Sequence, residues 1–300
     1  MRRDLSIAST LENRLGGRWS VRTASASSFC DSWIAQCQAR VLFLKSVPPE
    51  HEAVLTAEAD GLNSLRETHT IRVPAVIDCW SDDESCVLAM EWLEFSIPDA
   101  GFGSRFAEAL AQLHAAPTER EVFGWHRDNM LGGTQQLNRW SQRSGRAGWT
   151  EFLGTQRFGA MRQRLRSSNA DESILEITDE VIERLPDFFR DGHEPRPSLI
   201  HGDLWSGNWS MLHDGSPVVF DPAVSCSDAE ADLAMMELFG DVPVDFWPAY
   251  RSTMAISEGY AWRRHLYQLY HLLNHVLLFG SSYTQRALAT GRAALNSIRK

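Results

Sequence analysis

Residues 199–209 read Leu-Ile-His-Gly-Asp-Leu-Trp-Ser-Gly-Asn-Trp, and a later apolar run ends in Asp221, thirteen positions after Asn208. The stretch also places a carboxylate, that of Asp203, five positions before Asn208. Transfer of a phosphoryl group from ATP needs such a set, because one carboxylate must orient the attacking hydroxyl while an Asn and a second carboxylate hold Mg²⁺ against the phosphates. Oxygen ligands of this kind suit Mg²⁺. The pattern therefore predicts a catalytic loop that uses ATP and Mg²⁺.

Composition limits the classes of protein to consider. The 300 residues are enough for two lobes, and the formal net charge of −10 argues against a nucleic-acid partner. No apolar run of signal-peptide length follows Met1, and Leu266–Phe279 is too short and too polar to span a bilayer, so we expect a cytoplasmic protein with no membrane partner. Five cysteines without C-x-x-C spacing are typical of free thiols rather than of disulfides or a zinc site.

The first 95 residues combine short apolar runs with one helical pattern. We predict strands at 41–45, 73–80 and 86–92, and a helix over 50–66 whose apolar residues share a face. This part of the chain therefore predicts a mixed sheet with one helix.

A change of pattern follows Pro98 and the Gly101/Gly103 pair, which predict a boundary between lobes. Beyond it the apolar spacing is mostly helical, apart from the β-rich region that contains the predicted catalytic loop. The fold class expected is α+β, with a small β-rich nucleotide-binding lobe at 1–95 and a larger, mostly helical catalytic and substrate-binding lobe at 96–300.

Asp203 is the candidate catalytic base, because a carboxylate within hydrogen-bond reach of the attacking hydroxyl aligns it and takes its proton late. The alternative is an Asp that caps its own turn. Asn208 and Asp221 are the candidate metal ligands, although Asp-Pro is also a common turn starter. We expect His201 to support the loop through hydrogen bonds rather than to react.

Lys45 ends a short apolar run and is the candidate clamp for the α- and β-phosphates, with a solvated lysine at a strand end as the alternative. A glutamate on the following helix would hold this lysine in place. We favour Glu58 for that role over its neighbours Glu50, Glu52 and Asp60.

A candidate adenine hinge lies at the end of the last predicted strand of the first lobe. In kinases the backbone of such a segment bonds the adenine edge, so the assignment depends on position and not on side chains. The segment consists of Met90, Glu91, Trp92 and Leu93.

The string His-Gly-Asp-Leu-Trp-Ser-Gly-Asn at 201–208 resembles the fructosamine (ketosamine) kinases, a family within the protein-kinase-like, aminoglycoside-phosphotransferase-like superfamily. The resemblance extends from about Leu42 to Tyr283, and it includes the segments 123–125, 128–129, 135–140, 230–235, 238–240 and 267–275. It implies a two-lobed kinase-like fold with ATP and Mg²⁺ as cofactors. It also favours Glu58, because residues 56–62 are similar to the helix of the family.

The resemblance implies a reaction as well. The family phosphorylates the sugar 3-hydroxyl of ketosamines, which are rearranged products of sugars with amines; the 3-phosphate then eliminates and frees the amine. A deglycating repair kinase is therefore expected, with a small-molecule or protein-bound ketosamine as its partner. The sequence leaves open which sugar and amine it prefers and the oligomeric state.

Two departures from the family pattern bear on substrates. Where the family usually has a Gly-Gly pair over the ATP phosphates, residues 26–32 read Ala-Ser-Ser-Phe-Cys-Asp-Ser, so Ser27 and Ser28 become the candidate phosphate contacts. Residues 225–229, which by resemblance approach the acceptor sugar, read Ser-Cys-Ser-Asp-Ala instead of an aromatic and Gly-His or Gly-Asp pattern. The sequence therefore leaves open whether the acceptor of this protein differs from the usual ketosamine.

Several residues keep two interpretations. Trp205 is a candidate substrate contact that packs on the acceptor sugar, or else it anchors the loop. Glu230 and Asp232 are expected to support the loop and the helix start. His271 and His275 have metal-ligand spacing, but buried hydrogen-bonding histidines are favoured.

Two other functions remain as alternatives. One is a different small-molecule kinase of the same fold, acting on an aminoglycoside, choline or a plain sugar. The other is a degenerate kinase fold that binds nucleotide without turnover, for which the missing glycines are the only support.

Overall fold

The computed structural model describes residues 2–26, 30–240 and 242–299. Ser27 and Ser28, the predicted phosphate contacts, lie outside this part of the chain. Within the described ranges, no helix is both long enough and apolar enough to cross a membrane.

A small lobe is built on one antiparallel sheet. Within the described residues its strands pair in the order β1-β2-β3-β5-β4, with every neighbouring pair antiparallel. The predicted mixed sheet is therefore wrong, because all four neighbouring pairs are antiparallel, including β3 and β5, which α2 and β4 separate along the chain. The strands are β1 (Ser20–Ala26), β2 (Asp31–Cys37), β3 (Arg40–Val47), β4 (Val76–Ser81) and β5 (Cys86–Glu91).

Two helices cover this sheet, not the one that we predict from sequence. Helix α2 (Glu52–Glu67) is the predicted one, and helix α1 (Arg2–Leu15) is additional. The sequence contains a signal for α1, because Ile7, Leu11 and Leu15 recur at intervals of four.

Side-chain alternation along the strands divides the apolar residues of the small lobe between two clusters. Leu44 and Ala89 pack with α1, whereas Leu88 and Met90 join the main core, which also receives α2. Lys45 and Phe43 share the second face, so the alternation brings the lysine to the side of the sheet that faces the larger lobe.

The larger lobe is mostly helical, and its core is continuous with the inner face of the small lobe. A π-helical segment, Leu153–Gly159, joins α4 to α5, and short 3₁₀ turns lie at Pro49–His51, Leu185–Phe189 and Gly280–Tyr283. The helices are α3 (Phe102–Ala115), α4 (Gly145–Phe152), α5 (Ala160–Ser167), α6 (Glu172–Glu183), α7 (Glu230–Leu238), α8 (Phe246–Thr253), α9 (Tyr260–Phe279) and α10 (Thr284–Ser297).

Short strands between these helices carry the predicted catalytic loop and its neighbours. Strands β10 and β11 form a hairpin, β6 pairs with β10, and β12 pairs with β9. Their bounds are β6 (Phe95–Ser96), β7 (Asn129–Leu131), β8 (Thr134–Gln136), β9 (Ser198–Ile200), β10 (Trp209–Leu212), β11 (Pro217–Val219) and β12 (Ser225–Ser227). The division into 1–95 and 96–300 stays a prediction, but the expected order, a β-rich lobe before a helical one, is confirmed.

Candidate active site

The predicted catalytic loop, residues 201–208, connects β9 to β10. Its first turn is held by Asp232 on α7, whose carboxylate accepts the backbone N–H of His201 at 2.7 Å and that of Gly202 at 2.8 Å. Gly202 has a φ of +82°, and a Cβ there would lie 2.1 Å from the carbonyl oxygen of Ala223. Only glycine therefore fits this turn.

Asp232 is fully buried, and His114 Nε2 lies 3.2 Å from its carboxylate. Burial alone would raise the pKa of Asp232, but His114, His201 and the loop N–H groups outweigh burial and lower it. The contacts agree with the expectation that Asp232 supports the loop. No pattern in the sequence indicated a role for His114, which lies 118 residues away from Asp232 along the chain.

Asp203 lies inside the loop and is partly buried. Asn208 Nδ2 donates to the backbone oxygen of Asp203 at 2.9 Å and to its Oδ2 at 3.3 Å. Burial, and then the negative charge of Asp221, raise the pKa of Asp203 to about 7. A carboxyl group with this pKa can take up a proton near neutral pH.

Asp221 follows β11 in a left-handed conformation, with a φ of +58°. For a residue other than glycine this conformation costs about 1–2 kcal/mol, so the surrounding structure must impose it. Hydrogen bonds on both sides do so: Phe220 N–H donates to Asn208 O at 3.0 Å, and Ala223 N–H donates to His201 O at 2.8 Å. The loop thus fixes the direction of the Asp221 carboxylate.

Lys45 joins the two lobes through two ion pairs. Its Nζ lies 2.7 Å from Glu58 Oε1 on α2 and 2.7 Å from Asp221 Oδ1 in the larger lobe. Burial lowers the pKa of Lys45, but the Glu58 and Asp221 carboxylates outweigh burial, and the net pKa is raised. The lysine therefore keeps its charge where the lobes meet. The strand continues two residues past Lys45, which is not at the strand end as expected.

Two neighbouring cavities meet at Lys45 and Asp221. The larger, about 660 Å³, is lined by the predicted hinge, residues 90–93, and by the rings of Phe43 and Phe220. Its size lies in the range of ligand pockets and its walls are mostly apolar, as an adenine ring requires. The side chain of Glu91 accepts hydrogen bonds from Arg72 and from the backbone N–H of Ala75.

The second cavity, about 280 Å³, brings most of the predicted catalytic residues together. It is lined among others by Lys45, Glu58, Asp203, Trp205, Asn208 and Asp221. Asn208 and Asp221 fit a magnesium site by their donor atoms. The Asn208 amide nitrogen is used in bonds to Asp203, which leaves its oxygen as the available ligand atom, and the Asp221 side chain is 46 % exposed.

A comparison with known proteins decides the family. The sequence model of the fructosamine kinase family matches residues 6–296, nearly the whole chain. The chain belongs to the fructosamine kinase family. The predicted family and the predicted enzyme class, a ketosamine kinase, are thereby confirmed.

Relatives of known sequence align with most of this chain. A "probable ketoamine kinase" of Synechocystis is 38 % identical over 248 residues, which are 82 % of this chain and 80 % of the relative. A chloroplastic protein-ribulosamine 3-kinase of Arabidopsis thaliana is 34 % identical over 257 residues, 85 % of this chain and 76 % of the relative.

Solved structures agree with the expected kinase-like fold. A crystal structure from Thermobifida fusca, of a "putative fructosamine-3-kinase", superposes with a TM-score of 0.84 at 32 % identity, covering 97 % of this chain and 99 % of the other. A thermostable aminoglycoside phosphotransferase in a ternary complex with AMP-PNP and hygromycin B superposes with a TM-score of 0.67 at 14 % identity, covering 98 % of each chain. The latter likeness shows the fold alone.

An aromatic row leads from the catalytic loop of this fructosamine kinase toward the end of α9. The Trp205 ring, 38 % exposed, packs edge-on against Phe239 with centroids 6.1 Å apart. Phe239 in turn lies 5.3 Å from His275, and His275 lies 4.8 Å from Tyr283. Trp205 therefore has both a packing partner inside the protein and a surface that faces the cavity of Asp203.

Residues 225–229, expected by resemblance near the acceptor, are buried beside the catalytic loop. Ser225 and Ser227 are each 1 % exposed and bond each other at 2.8 Å, while β12 pairs with β9. Their expected approach to the acceptor stays a prediction. The departure in sequence at this place changes the support of the loop.

A group that could hold a metal ion, His193 with Asp228 and Glu230, was not expected from sequence. Arg263 already bonds both oxygens of Glu230, at 2.7 and 2.9 Å, and Tyr267 donates to Asp228 at 2.7 Å. The cluster is therefore an internally compensated polar network.

Two further groups are the histidine pair of α9 and the Cys30 thiol, which lines the second cavity. His275 Nδ1 lies 2.8 Å from the carbonyl oxygen of His271, in agreement with the expected hydrogen-bonding role. Burial raises the pKa of the Cys30 thiol to about 11, which keeps it in the unreactive protonated form.

Proposed function

We propose that this chain transfers the γ-phosphoryl group of ATP to the 3-hydroxyl of a ketosamine, with Mg²⁺ as the metal. The observation that carries the proposal is the single cavity in which Lys45, Glu58, Asp203, Asn208 and Asp221 converge. Phosphoryl transfer depends on positioning and on charge stabilisation, and these residues supply both.

On the nucleotide side, the backbone of residues 90–93 would bond the adenine edge. Lys45, held charged by its two carboxylates, would meet the α- and β-phosphates as a point charge. Asn208 and Asp221 would hold Mg²⁺, which neutralises charge on the phosphates during transfer. Ser27 and Ser28 remain the proposed hydroxyl contacts of the turn above the phosphates.

On the acceptor side, Asp203 would orient the 3-hydroxyl and accept its proton. A pKa of about 7 makes the carboxylate a stronger base than an exposed Asp, so the proton transfer is better matched at neutral pH. The exposed face of Trp205 would pack against the sugar ring. By family resemblance the 3-phosphate product then eliminates phosphate and releases the amine.

The sugar and the amine are the finer parts of the proposal. Relatives are named as protein-ribulosamine and as fructosamine kinases, so both sugars must be compared. Small-molecule and protein-bound ketosamines are both proposed as acceptors, and the cytoplasm as the location.

The test is ATP consumption with Mg²⁺ on a ribulosamine and on a fructosamine of lysine, beside the variant Asp203→Asn. We expect turnover, with loss of about 10²–10⁴-fold in the variant, because a general base contributes that much. Asp83→Asn, an exposed turn residue of the small lobe, is the matched control. Nucleotide binding with no turnover on either acceptor would contradict the proposal and favour a non-catalytic nucleotide binder.

A further inference from the structure

Helix α2 carries two carboxylates that face different lobes. Glu58 reaches Lys45 on strand β3 of the small lobe. Asp60, two residues later, accepts hydrogen bonds from the larger lobe: Trp125 Nε1 lies 2.9 Å from its Oδ2, and His126 Nε2 lies 3.0 Å from its Oδ1. Both oxygens of Asp60 are thus engaged by consecutive residues of one segment.

Two further contacts attach the same helix to the larger lobe. Arg127, the next residue of that segment, donates to Thr56 O at 3.2 Å and to Thr56 Oγ1 at 2.9 Å. On the other side, Gly61 packs so closely that a Cβ there would lie 3.2 Å from Pro222 Cγ and 3.3 Å from Val224. Helix α2 therefore lies directly on the stretch that follows Asp221.

The segment that holds Asp60 is itself bonded to that stretch. Gly124 N–H donates to Cys226 O at 3.0 Å, and Cys226 N–H donates to Gly124 O at 2.8 Å. Asn129 Nδ2 donates to Val224 O at 2.7 Å. Because Cys226 follows Asp221 by only five residues, the segment and Asp221 belong to one hydrogen-bonded frame.

These contacts close a ring around the lysine. Asp221 is joined through the chain to Cys226, which is hydrogen-bonded to Gly124. The next residue, Trp125, donates to Asp60. Asp60 and Glu58 lie on the same helix, and Glu58 pairs with Lys45. We propose that Asp60 is a positioning residue, which ties α2 to residues 124–127 and so fixes the distance between the two carboxylates that hold Lys45. This inference rests on the proposed function, because it assigns the role through nucleotide binding.

The arrangement determines what loss of the tie would do. The Glu58 side chain is 12 % exposed and, within the described part of the chain, forms its ion pair with Lys45 alone, whereas Asp221 is half exposed and would also be a metal ligand. If α2 moves outward, Glu58 leaves Lys45, and Asp221 becomes the only carboxylate beside the ammonium. Lys45 would then stay on Asp221 and compete with Mg²⁺ and the phosphates for it.

The test is Asp60→Asn, which keeps the shape of the side chain but leaves one oxygen for two donors. Glu67→Gln, an exposed acid in the last turn of the same helix, is the matched control. We expect Asp60→Asn to lower kcat/KM for ATP about tenfold while KM for the acceptor stays within about twofold, since the tie acts on Lys45 and not on the acceptor side.

A second variant separates the tie from folding. Trp125→Phe removes the indole donor but keeps the ring, so a smaller loss in kcat/KM for ATP is expected. The double variant should be no worse than Asp60→Asn alone, because both act through the same bond. If Asp60→Asn fails to fold, Trp125→Phe alone decides, and an unchanged kcat/KM for ATP in that variant overturns the proposal.

Calorimetric binding of Mg²⁺ and a non-hydrolysable ATP analogue provides a readout that needs no acceptor. Weaker binding to Asp60→Asn than to Glu67→Gln supports the positioning role of Asp60 even if no ketosamine is turned over. The positioning role and the proposed ketosamine kinase activity can therefore be contradicted independently. Equal binding by the two variants overturns the inference. Equal losses in the ATP and acceptor parameters overturn it as well, because they indicate a general structural effect.

Discussion

The nucleotide side and the acceptor side of the cavity handle buried charge in opposite ways. On the nucleotide side, Lys45 is compensated by two carboxylates at 2.7 Å, and its net pKa is raised. On the acceptor side, Asp203 has an amide partner at 3.3 Å and forms no ion pair with a cation among the described residues, and its pKa is raised to about 7. One region is thus built to stay charged, and the other to change its charge.

One loop serves both needs through the donors that its carboxylates meet. Asp203 lies in the loop and is partly buried, and Asp232 holds the loop from α7, yet the pKa of Asp232 is lowered and that of Asp203 is raised. Asp232 receives two backbone N–H groups and a histidine, whereas the Asp203 carboxylate receives Asn208 alone among the described residues. The number of donors, and not burial, separates a structural carboxylate from a candidate base.

The largest effect on the use of ATP is expected from Lys45→Met. The change leaves Glu58 and Asp221 facing each other without a cation, and kcat/KM for ATP should fall about 10²–10³-fold. KM for the acceptor should stay within about twofold if the two sides are separate. Initial-rate kinetics with each substrate varied, beside the exposed-strand control Arg22→Met, measure both; equal damage to both substrates would remove the distinction.

The next effect concerns stability on the acceptor side. Because the folded-state pKa of Asp203 is about 7 and the unfolded value is near 4, the folded state binds more protons between these values and stability falls as pH rises through the interval. Asp203→Asn removes this cost. Its free energy of unfolding should exceed that of the parent by about 1–3 kcal/mol at pH 8 and match it near pH 4.

Denaturant unfolding at several pH values measures this difference. Asp83→Asn should show none, since that carboxyl is exposed. A constant difference between pH 4 and pH 8 would mean that the Asp203 carboxylate is not penalised by burial.

A smaller effect is expected from Trp205. Trp205→Ala should raise KM for the acceptor about tenfold by removing ring contact, and Trp205→Phe should recover most of that loss. KM for ATP should not change. Steady-state kinetics decide between the two interpretations of this residue. If Trp205 only anchors the loop, its loss should instead lower kcat, whether the acceptor or ATP is the varied substrate.

The smallest effect concerns charge at long range. With a net charge of −10, the protein should attract a cationic ketosamine, and raising salt from 50 to 500 mM should lower kcat/KM for it about two- to threefold. A neutral ketosamine is the control and should show no change. The same salt dependence for both acceptors would assign the effect to ATP and hence to the nucleotide side.

The sequence predicted the elements in which spacing and chemistry agree. Strand β3 with Lys45, helix α2 with Glu58 and the loop of Asp203 all lie where the pattern placed them, and their side chains meet in one cavity. For these three residues the residue type and spacing were enough to predict the site, because phosphoryl transfer restricts which side chains can be present.

Other features depend on contacts that no local pattern contains. Asp60 looked like a competitor of Glu58, but its partners lie 65 and 66 residues away. Residues 225–229 were expected near the acceptor by resemblance, and all five are buried, three of them in strand β12, which pairs with β9. Helix α1 is a different case, since its spacing was visible and the prediction overlooked it.

The double ion pair of Lys45 has a consequence for the protein as a target of sugar chemistry. A reducing sugar adds to an amine through the nitrogen lone pair, which a protonated ammonium lacks. The chain has two lysines, Lys45 and Lys300, and the first is held protonated and shielded between two carboxylates. This kinase of glycated amines therefore has almost no lysine side chains that could be glycated. Lys45, which the proposed chemistry needs, is kept non-nucleophilic by the same two ion pairs that position it.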